Sequence, residues 1–136
     1  MSGKKRLLLA LVGACGLVLL CSEAWAWQVT INGTANNFDL ANAVTVDAAG
    51  DVVAAGGTEN IGTGLRDFTV VKLAGATGVE LWRQEIDGTA NGIDFAFKVA
   101  VDAAGDVVAA GRTQNTATDF GDFTVVKLRG TDGGDF

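Results

Sequence analysis

Apolar and polar residues alternate in short segments along this chain, and the same alternation returns once, at an offset of 55 residues. At this offset Trp27 aligns with Trp82, and Phe68 aligns with Phe123. Alternation with a period of two, between glycine-rich breaks, predicts short and half-buried strands. A fixed long period of this kind indicates a repeat protein in which each unit buries its apolar face against a neighbour.

The repeats are assigned to residues 27–81 and 82–136, and each is predicted to contribute four strands. The clearest strand is Phe-Thr-Val-Val-Lys-Leu, which is rich in β-branched residues and bounded by turn formers. The predicted strands are 41–47, 51–56, 68–73 and 79–86, with equivalents at 96–102, 106–111, 123–128 and, for the fourth strand, 27–31. Four short antiparallel strands are the content of one propeller blade.

The predicted fold is therefore all-β, with two tandem four-stranded β-propeller-like blades of 55 residues, one for each repeat. Two blades are incomplete as a closed ring, because propellers typically have about four to eight. The sequence thus predicts either a protomer that completes a ring with other copies or a fragment of a longer propeller. The turn at the end of the second repeat favours the fragment.

Composition agrees with an all-β class and limits the partners. Among 136 residues, 49% are hydrophobic, 19 are glycine and none is proline. The formal net charge is −6; the segment 1–26 contains three bases and one acid, so the remaining seven bases and 15 acids give −8. A surface of this charge repels a phosphate backbone, and we expect no nucleic-acid binding.

The N-terminal segment has the pattern of an export signal. A basic stretch at Lys4, Lys5 and Arg6 precedes the apolar residues 7–20, and Ala24-Trp25-Ala26 offers small residues for cleavage. A signal peptide at 1–26 predicts a secreted, periplasmic or cell-surface protein. An uncleaved membrane anchor and a lipoprotein processed at Cys15 are the alternatives.

The inventory of side chains argues against an enzyme. Both cysteines, Cys15 and Cys21, lie in the predicted signal peptide, and the chain contains no histidine or tyrosine. General acid–base catalysis by imidazole and thiolate chemistry are therefore not available after cleavage. We predict no catalytic residues and no cofactor.

One turn recurs with paired aspartates that flank a glycine. The two copies are Asp47 and Asp51 around Gly50, and Asp102 and Asp106 around Gly105. Paired carboxylates make these four aspartates candidate calcium ligands. The favoured interpretation is a hairpin, in which the first aspartate accepts local backbone N–H bonds and the glycine adopts a left-handed conformation.

The other repeated residues are interpreted as structural. Trp27 and Trp82 are predicted to pack between adjacent blades, because each falls at the same phase of the repeat. Lys72 and Lys127 interrupt an apolar strand, which indicates either a solvated position of an alternating strand or a charge that discourages edge pairing. The remaining repeated positions of this kind are Gly56, Gly111, Phe68 and Phe123.

Two motifs resemble known propeller repeats. Residues 46–56, with Thr58 and then Asp67-Phe68, resemble the bacterial SBBP-type β-propeller repeat, whose pattern is Asp-x-x-Gly-Asn followed by alternating apolar residues, Gly-x-Thr and Asp-Phe. The segment Thr77-Gly78-Val79-Glu80-Leu81-Trp82 resembles the Thr-Gly-x-x-x-Trp docking motif of quinoprotein-like propellers. The resemblance implies an exported propeller with tryptophans between its blades. The chain lacks the vicinal cysteine pair of the quinoprotein dehydrogenases, so their activity is not implied.

These observations favour an exported, non-catalytic scaffold or binding module. We expect it to associate with itself or with missing blades of the same propeller, while a protein or glycan partner stays unidentified. A membrane contact is expected only through an uncleaved signal segment. A fragment of a quinoprotein-like enzyme and a calcium-stabilised adhesion repeat are the alternatives.

Overall fold

The computed structural model describes residues 26–62, 65–116 and 120–135. These residues form seven strands in two antiparallel sheets, and no helix occurs among them. The sheets do not close into a barrel. The predicted all-β class is therefore confirmed. The predicted signal peptide, with both cysteines, lies outside the described residues except for Ala26.

Sheet 1 has four strands in chain order. They are β1 (Leu40–Val46), β2 (Val52–Glu59), β3 (Arg66–Leu73) and β4 (Glu80–Ile86). The pairing of β2 with β3 is continuous along both strands, and β3 also pairs with β4. A bulge interrupts β1 between Ala41 and Ala43. Short turns connect the strands, so each one pairs with its neighbour in sequence.

Sheet 2 repeats the first three strands of sheet 1. They are β5 (Phe95–Val101), β6 (Val107–Thr113) and β7 (Asp122–Leu128). The bulge recurs between Ala96 and Lys98, at the position equivalent to that in β1. Beyond β7, a single bridge joins Leu128 to Asp135. The repeat predicted from the sequence is thus visible in the register of the strands.

Two predictions about the fourth strand are wrong. The second sheet has three strands rather than four within the described residues. Residues 27–31, predicted as a fourth-type strand, form no strand. A strand needs a partner, and residues 27–31 pair with no strand edge of the single chain; the edge of β3, where a fourth-type strand belongs in sheet 1, is taken by β4. The segment 27–31 contacts sheet 1 through its side chains instead.

Each sheet has two chemically different faces, because successive side chains of a strand point in opposite directions. The aromatic face carries Phe68 and Val70 in sheet 1, and Phe123 and Val125 in sheet 2. The glycine face carries Gly56 in sheet 1 and Gly111 in sheet 2. Paired residues of neighbouring strands point to the same face. The pairs Gly57–Phe68 and Arg112–Phe123 therefore mark the aromatic faces, and the pairs Gly56–Thr69 and Gly111–Thr124 mark the glycine faces.

The core lies between the aromatic face of sheet 1 and the glycine face of sheet 2. Phe68 is fully buried, and a Cβ built on Gly111 would lie only 2.7 Å from Cε2 of Phe68. Glycine at this position therefore gives the ring its place. The buried members of the core are Val53, Ala55, Phe68, Val70, Trp82, Ala96, Val107, Ala109 and Leu128. Removal of this apolar surface from water is the main force that joins the sheets.

Candidate functional site

The Trp82 ring packs between the two sheets, in a position that we call its seat. Strand β4 positions this residue beside Lys72 of β3. The indole Nε1 donates a hydrogen bond to the carbonyl oxygen of Gly130 at 3.1 Å. Gly133 has a φ of 72°, and a Cβ on it would approach Cε3 of Trp82 to 2.6 Å. The ring is thus held by a turn that follows the last strand of the other sheet.

The same seat occurs one repeat earlier. Trp27 Nε1 donates a hydrogen bond to the carbonyl oxygen of Gly75 at 2.8 Å. Gly78 has a φ of 73°, and a Cβ there would approach Cδ2 of Trp27 to 2.8 Å. In the Thr-Gly-x-x-x-Trp segment, Gly78 therefore contacts Trp27, while Trp82 at the end of the segment contacts the turn that follows β7 of sheet 2. Sheet 1 thus both accepts an indole ring, that of Trp27, and offers one, that of Trp82.

Each aspartate turn is a hairpin whose two carboxylates pair with the ammonium group of a lysine. Asp47 Oδ1 accepts hydrogen bonds from the backbone N–H groups of Ala49 and Asp51, each at 2.9 Å. Gly50 has a φ of 86°, in the left-handed region. Lys72 Nζ lies 2.8 Å from Asp47 Oδ2 and 3.6 Å from Asp51 Oδ2. The hydrogen bond from Lys72 lowers the pKa of Asp47, and the backbone N–H bonds act in the same direction.

The second aspartate turn has the same geometry at greater exposure. Lys127 Nζ lies 2.8 Å from Asp102 Oδ2 and 3.4 Å from Asp106 Oδ2. Gly105 has a φ of 87°. A hydrogen bond from Lys127 lowers the pKa of Asp102. In both turns, a lysine ammonium group therefore contacts the two carboxylates that are the candidate calcium ligands of the sequence analysis.

The predicted solvated position of Lys72 is wrong. Its side chain is 12% exposed, whereas that of Lys127 is 47% exposed. Lys72 Nζ donates a hydrogen bond to the carbonyl oxygen of Gly130 at 3.1 Å, in addition to its ion pairs. Sheet 2 therefore covers Lys72, and the strand pattern alone does not contain this information.

An open cleft of about 300 Å³ lies on the glycine face of sheet 1. Ile31 and Leu40 border it, and Gly56 and Val71 form part of its floor. Its lining is mainly apolar. In sheet 2 the equivalent of Gly56 is Gly111, where the ring of Phe68 lies. The cleft therefore corresponds to the space that Phe68 fills one repeat later.

Three carboxylates meet where the chain passes from sheet 1 to sheet 2. Oxygen atoms of Asp67, Asp87 and Asp94 lie within 4.8 Å of one another. Asp94 is fully buried, and its oxygens accept hydrogen bonds from the backbone N–H groups of Gly88 and Gln114. Burial raises the pKa of Asp87, and the charges of Asp67 and Asp94 raise it further. Chemically, the cluster can share a proton or offer oxygen ligands to a cation.

Sequence reasoning missed this carboxylate cluster. Asp87 has no repeated counterpart, because Asn32 occupies the equivalent position one repeat earlier. The difference between Asn32 and Asp87 at a repeated position was the signal that could have drawn attention to it. Asp67 lies beside Asp87 because β3 pairs with β4 and Phe68 is opposite Ile86. The proximity of Asp94 could not be read from the sequence, because it depends on how the chain passes to sheet 2.

Comparison of the chain with protein-family models and with curated proteins gives no match. Among residues 26–62, 65–116 and 120–135, no helix is long and apolar enough to cross a membrane.

Proposed function

We propose that this chain is an exported, non-catalytic β-propeller repeat protein that acts as a scaffold or binding module. The observation that carries the proposal is the duplicated indole seat. Trp27 with Gly78 and Trp82 with Gly133 make equivalent contacts at equivalent positions of the two repeats. In its second copy this contact joins the two sheets, because Trp82 lies in β4 of sheet 1 and Gly133 follows β7 of sheet 2, and the stacking of units is what a scaffold requires.

The use of the charged side chains supports a non-catalytic role. Asp47 and Asp102 each bind two backbone N–H groups of their own turn and one lysine. Asp39 and Asp94 are likewise equivalent, and each accepts backbone N–H bonds that hold a loop onto its sheet. Side chains with these duties are committed to the fold. Binding through the surfaces of the sheets is then the function that the chain is best suited to perform.

Export is part of the proposal because of the basic and apolar N-terminal pattern at 1–26. The exported protein would then work in the periplasm, at the cell surface or in the medium. Its partners are then the missing blades of a propeller, a second copy of the chain, or an unidentified protein or glycan.

Two ligand titrations separate this proposal from the cofactor-dependent alternatives. We expect the melting temperature of the full chain, followed by circular dichroism, to be the same with calcium and with a chelator. We also expect no saturable quenching of tryptophan fluorescence by pyrroloquinoline quinone in the presence of calcium. A higher melting temperature with calcium would favour the calcium-stabilised repeat. Saturable quenching that requires calcium would favour the quinoprotein-like enzyme fragment.

A further inference from the structure

We propose that the aromatic face of sheet 2 docks head to tail onto the glycine face of sheet 1 in a second copy of this chain. This inference rests on the scaffold function proposed above and names the partner and the two surfaces. The structure contains the template for the contact, because the aromatic face of sheet 1 already packs on the glycine face of sheet 2. The docking repeats that arrangement between chains.

The aromatic face of sheet 2, which would dock, is exposed, whereas the equivalent face of sheet 1 is buried. Within the chain, Phe68 and Val70 are fully buried between the sheets. Their equivalents, Phe123 and Val125, are 87% and 53% exposed. An exposed phenylalanine beside an exposed valine on a regular strand is an unsatisfied apolar surface of the kind that marks interaction sites. The same residue types in sheet 1, Phe68 and Val70, already pack on the glycine face of sheet 2.

The receiving surface is open in the same way. The cleft of about 300 Å³ at Gly56 is the counterpart of the space above Gly111 that Phe68 occupies. Beside it, Val44 is 67% exposed, whereas its equivalent Val99 packs against the core. Phe123 of one chain would thus enter the cleft at Gly56 of another, as Phe68 lies over Gly111 within the chain.

The strand edges are also complementary. Within sheet 1, β4 completes the sheet by pairing with β3, with Phe68 opposite Ile86 and Lys72 opposite Trp82. The equivalent pairing would place residues 27–31 of a second copy along β7. Those residues form no strand in the single chain. Addition of a strand to a sheet edge supplies main-chain hydrogen bonds, which fix the register of the contact.

The polar contacts of the docked faces would also repeat those between the two sheets of one chain. Gly130 O accepts hydrogen bonds from both Trp82 Nε1 and Lys72 Nζ. Its equivalent, Gly75 O, accepts one from Trp27 Nε1. A carbonyl oxygen has two lone pairs, so it can accept a second bond from Lys127 of another copy, the equivalent of Lys72. The docked faces would then share the polar contact as well as the apolar one.

Such a contact is heterologous, because it joins two different surfaces. The full chain should therefore associate in a concentration-dependent way, measured by light scattering behind a sizing column, with the N-terminus determined by mass spectrometry. Phe123→Asp removes the offered surface, and Ala54→Glu blocks the cleft, where the equivalent Ala109 is fully buried. Each variant alone should elute with the mass of one chain.

Matched controls carry the same new charge elsewhere. Ile61→Asp changes an exposed apolar side chain of a loop, and Ala48→Glu changes an exposed turn residue. Both controls should associate like the unchanged chain. Circular dichroism of all four variants checks that the sheets are intact.

The decisive sample is an equimolar mixture of Phe123→Asp and Ala54→Glu. It retains one intact surface of each kind, so it should form a species of two chains and nothing larger. A monomeric unchanged chain, association unaffected by either substitution, or a mixture that stays monomeric would each overturn the docking. These results would leave the scaffold proposal intact, because that proposal is tested by the calcium and quinone titrations.

Discussion

At the scale of single residues, several polar side chains have the same role in both repeats. Asp47 and Asp102 close equivalent turns, and Asp39 and Asp94 hold equivalent loops. The informative residues are those that break the equivalence. Asp87 is one of them, because it adds a carboxylate to a cluster where the first repeat has asparagine.

Asp87→Asn should stabilise the protein at neutral pH. The pKa of Asp87 is raised in the folded state by burial and by the charges of Asp67 and Asp94, so its ionisation opposes folding. The gain should be full at pH 7 and should shrink as the pH falls through the raised pKa towards the unfolded value, where the carboxyl is protonated in both states. Urea unfolding of both proteins at neutral and acidic pH measures the difference.

Asn32→Asp is the matched control for this prediction. It places a carboxylate near Asp39, the equivalent of Asp94, and Asn32 is exposed. We expect its effect to be smaller than that of Asp87→Asn and of opposite sign. A loss of stability in Asp87→Asn at pH 7 would show that the carboxylate is needed there, as it would be if a cation held the three aspartates together.

The hairpin aspartates could be interpreted correctly from sequence because their chemistry is local. Asp47 bonds to residues two and four positions away, and Gly50 needs only its own φ. The burial of Lys72 could not be predicted in this way. It depends on Gly130, which is 58 residues away in the sequence.

At the scale of secondary structure, alternation was sufficient to locate the seven strands and not the eighth. The strand at 68–73 was predicted within two residues of β3. Residues 27–31 have the same apolar alternation, yet they form no strand. The difference is one of pairing, because a strand exists only beside an edge that can bond to it.

The turns that follow β3 and β7 receive the indole rings, and glycine substitutions can measure this contact. Gly105→Ala should cost about 1–2 kcal/mol from the left-handed backbone alone. Gly105 has a φ of 87°, and no atom lies within 4 Å of an added Cβ. Gly133→Ala should cost roughly 1–3 kcal/mol more, because its Cβ also collides with Trp82.

Urea unfolding followed by circular dichroism gives both free energies. The tryptophan emission should change in Gly133→Ala, because the Trp82 ring is displaced, and stay the same in Gly105→Ala. Equal losses in the two variants, with unchanged emission, would mean that the turn yields easily and does not hold the ring.

At the scale of the whole molecule, the two sheets share one core. Phe68, Val70 and Trp82 belong to sheet 1, while Val107 and Leu128 belong to sheet 2, and all lie in the same buried cluster. Neither sheet can lose this contact without exposing apolar surface of the other. We therefore expect the described residues to unfold as one cooperative unit rather than sheet by sheet.

Phe68→Ala and Phe123→Ala test this view with the same change at equivalent positions of the repeat. Phe68 is fully buried, so its truncation should cost about 3–5 kcal/mol, a large share of a typical domain's stability. Phe123 is 87% exposed, so its truncation in dilute solution should change stability by about 0.5 kcal/mol or less.

The two variants also test whether the sheets unfold together. In Phe68→Ala, far-ultraviolet circular dichroism and tryptophan fluorescence should shift to the same lower urea concentration, because both sheets depend on the shared core. If only one signal shifts, the sheets unfold separately. If Phe123→Ala loses as much stability as Phe68→Ala in dilute solution, its ring is buried within the single chain, and the exposed aromatic face of sheet 2 does not exist. A loss in Phe123→Ala that appears only at higher protein concentration would instead report the contact between chains, since only that contact depends on protein concentration.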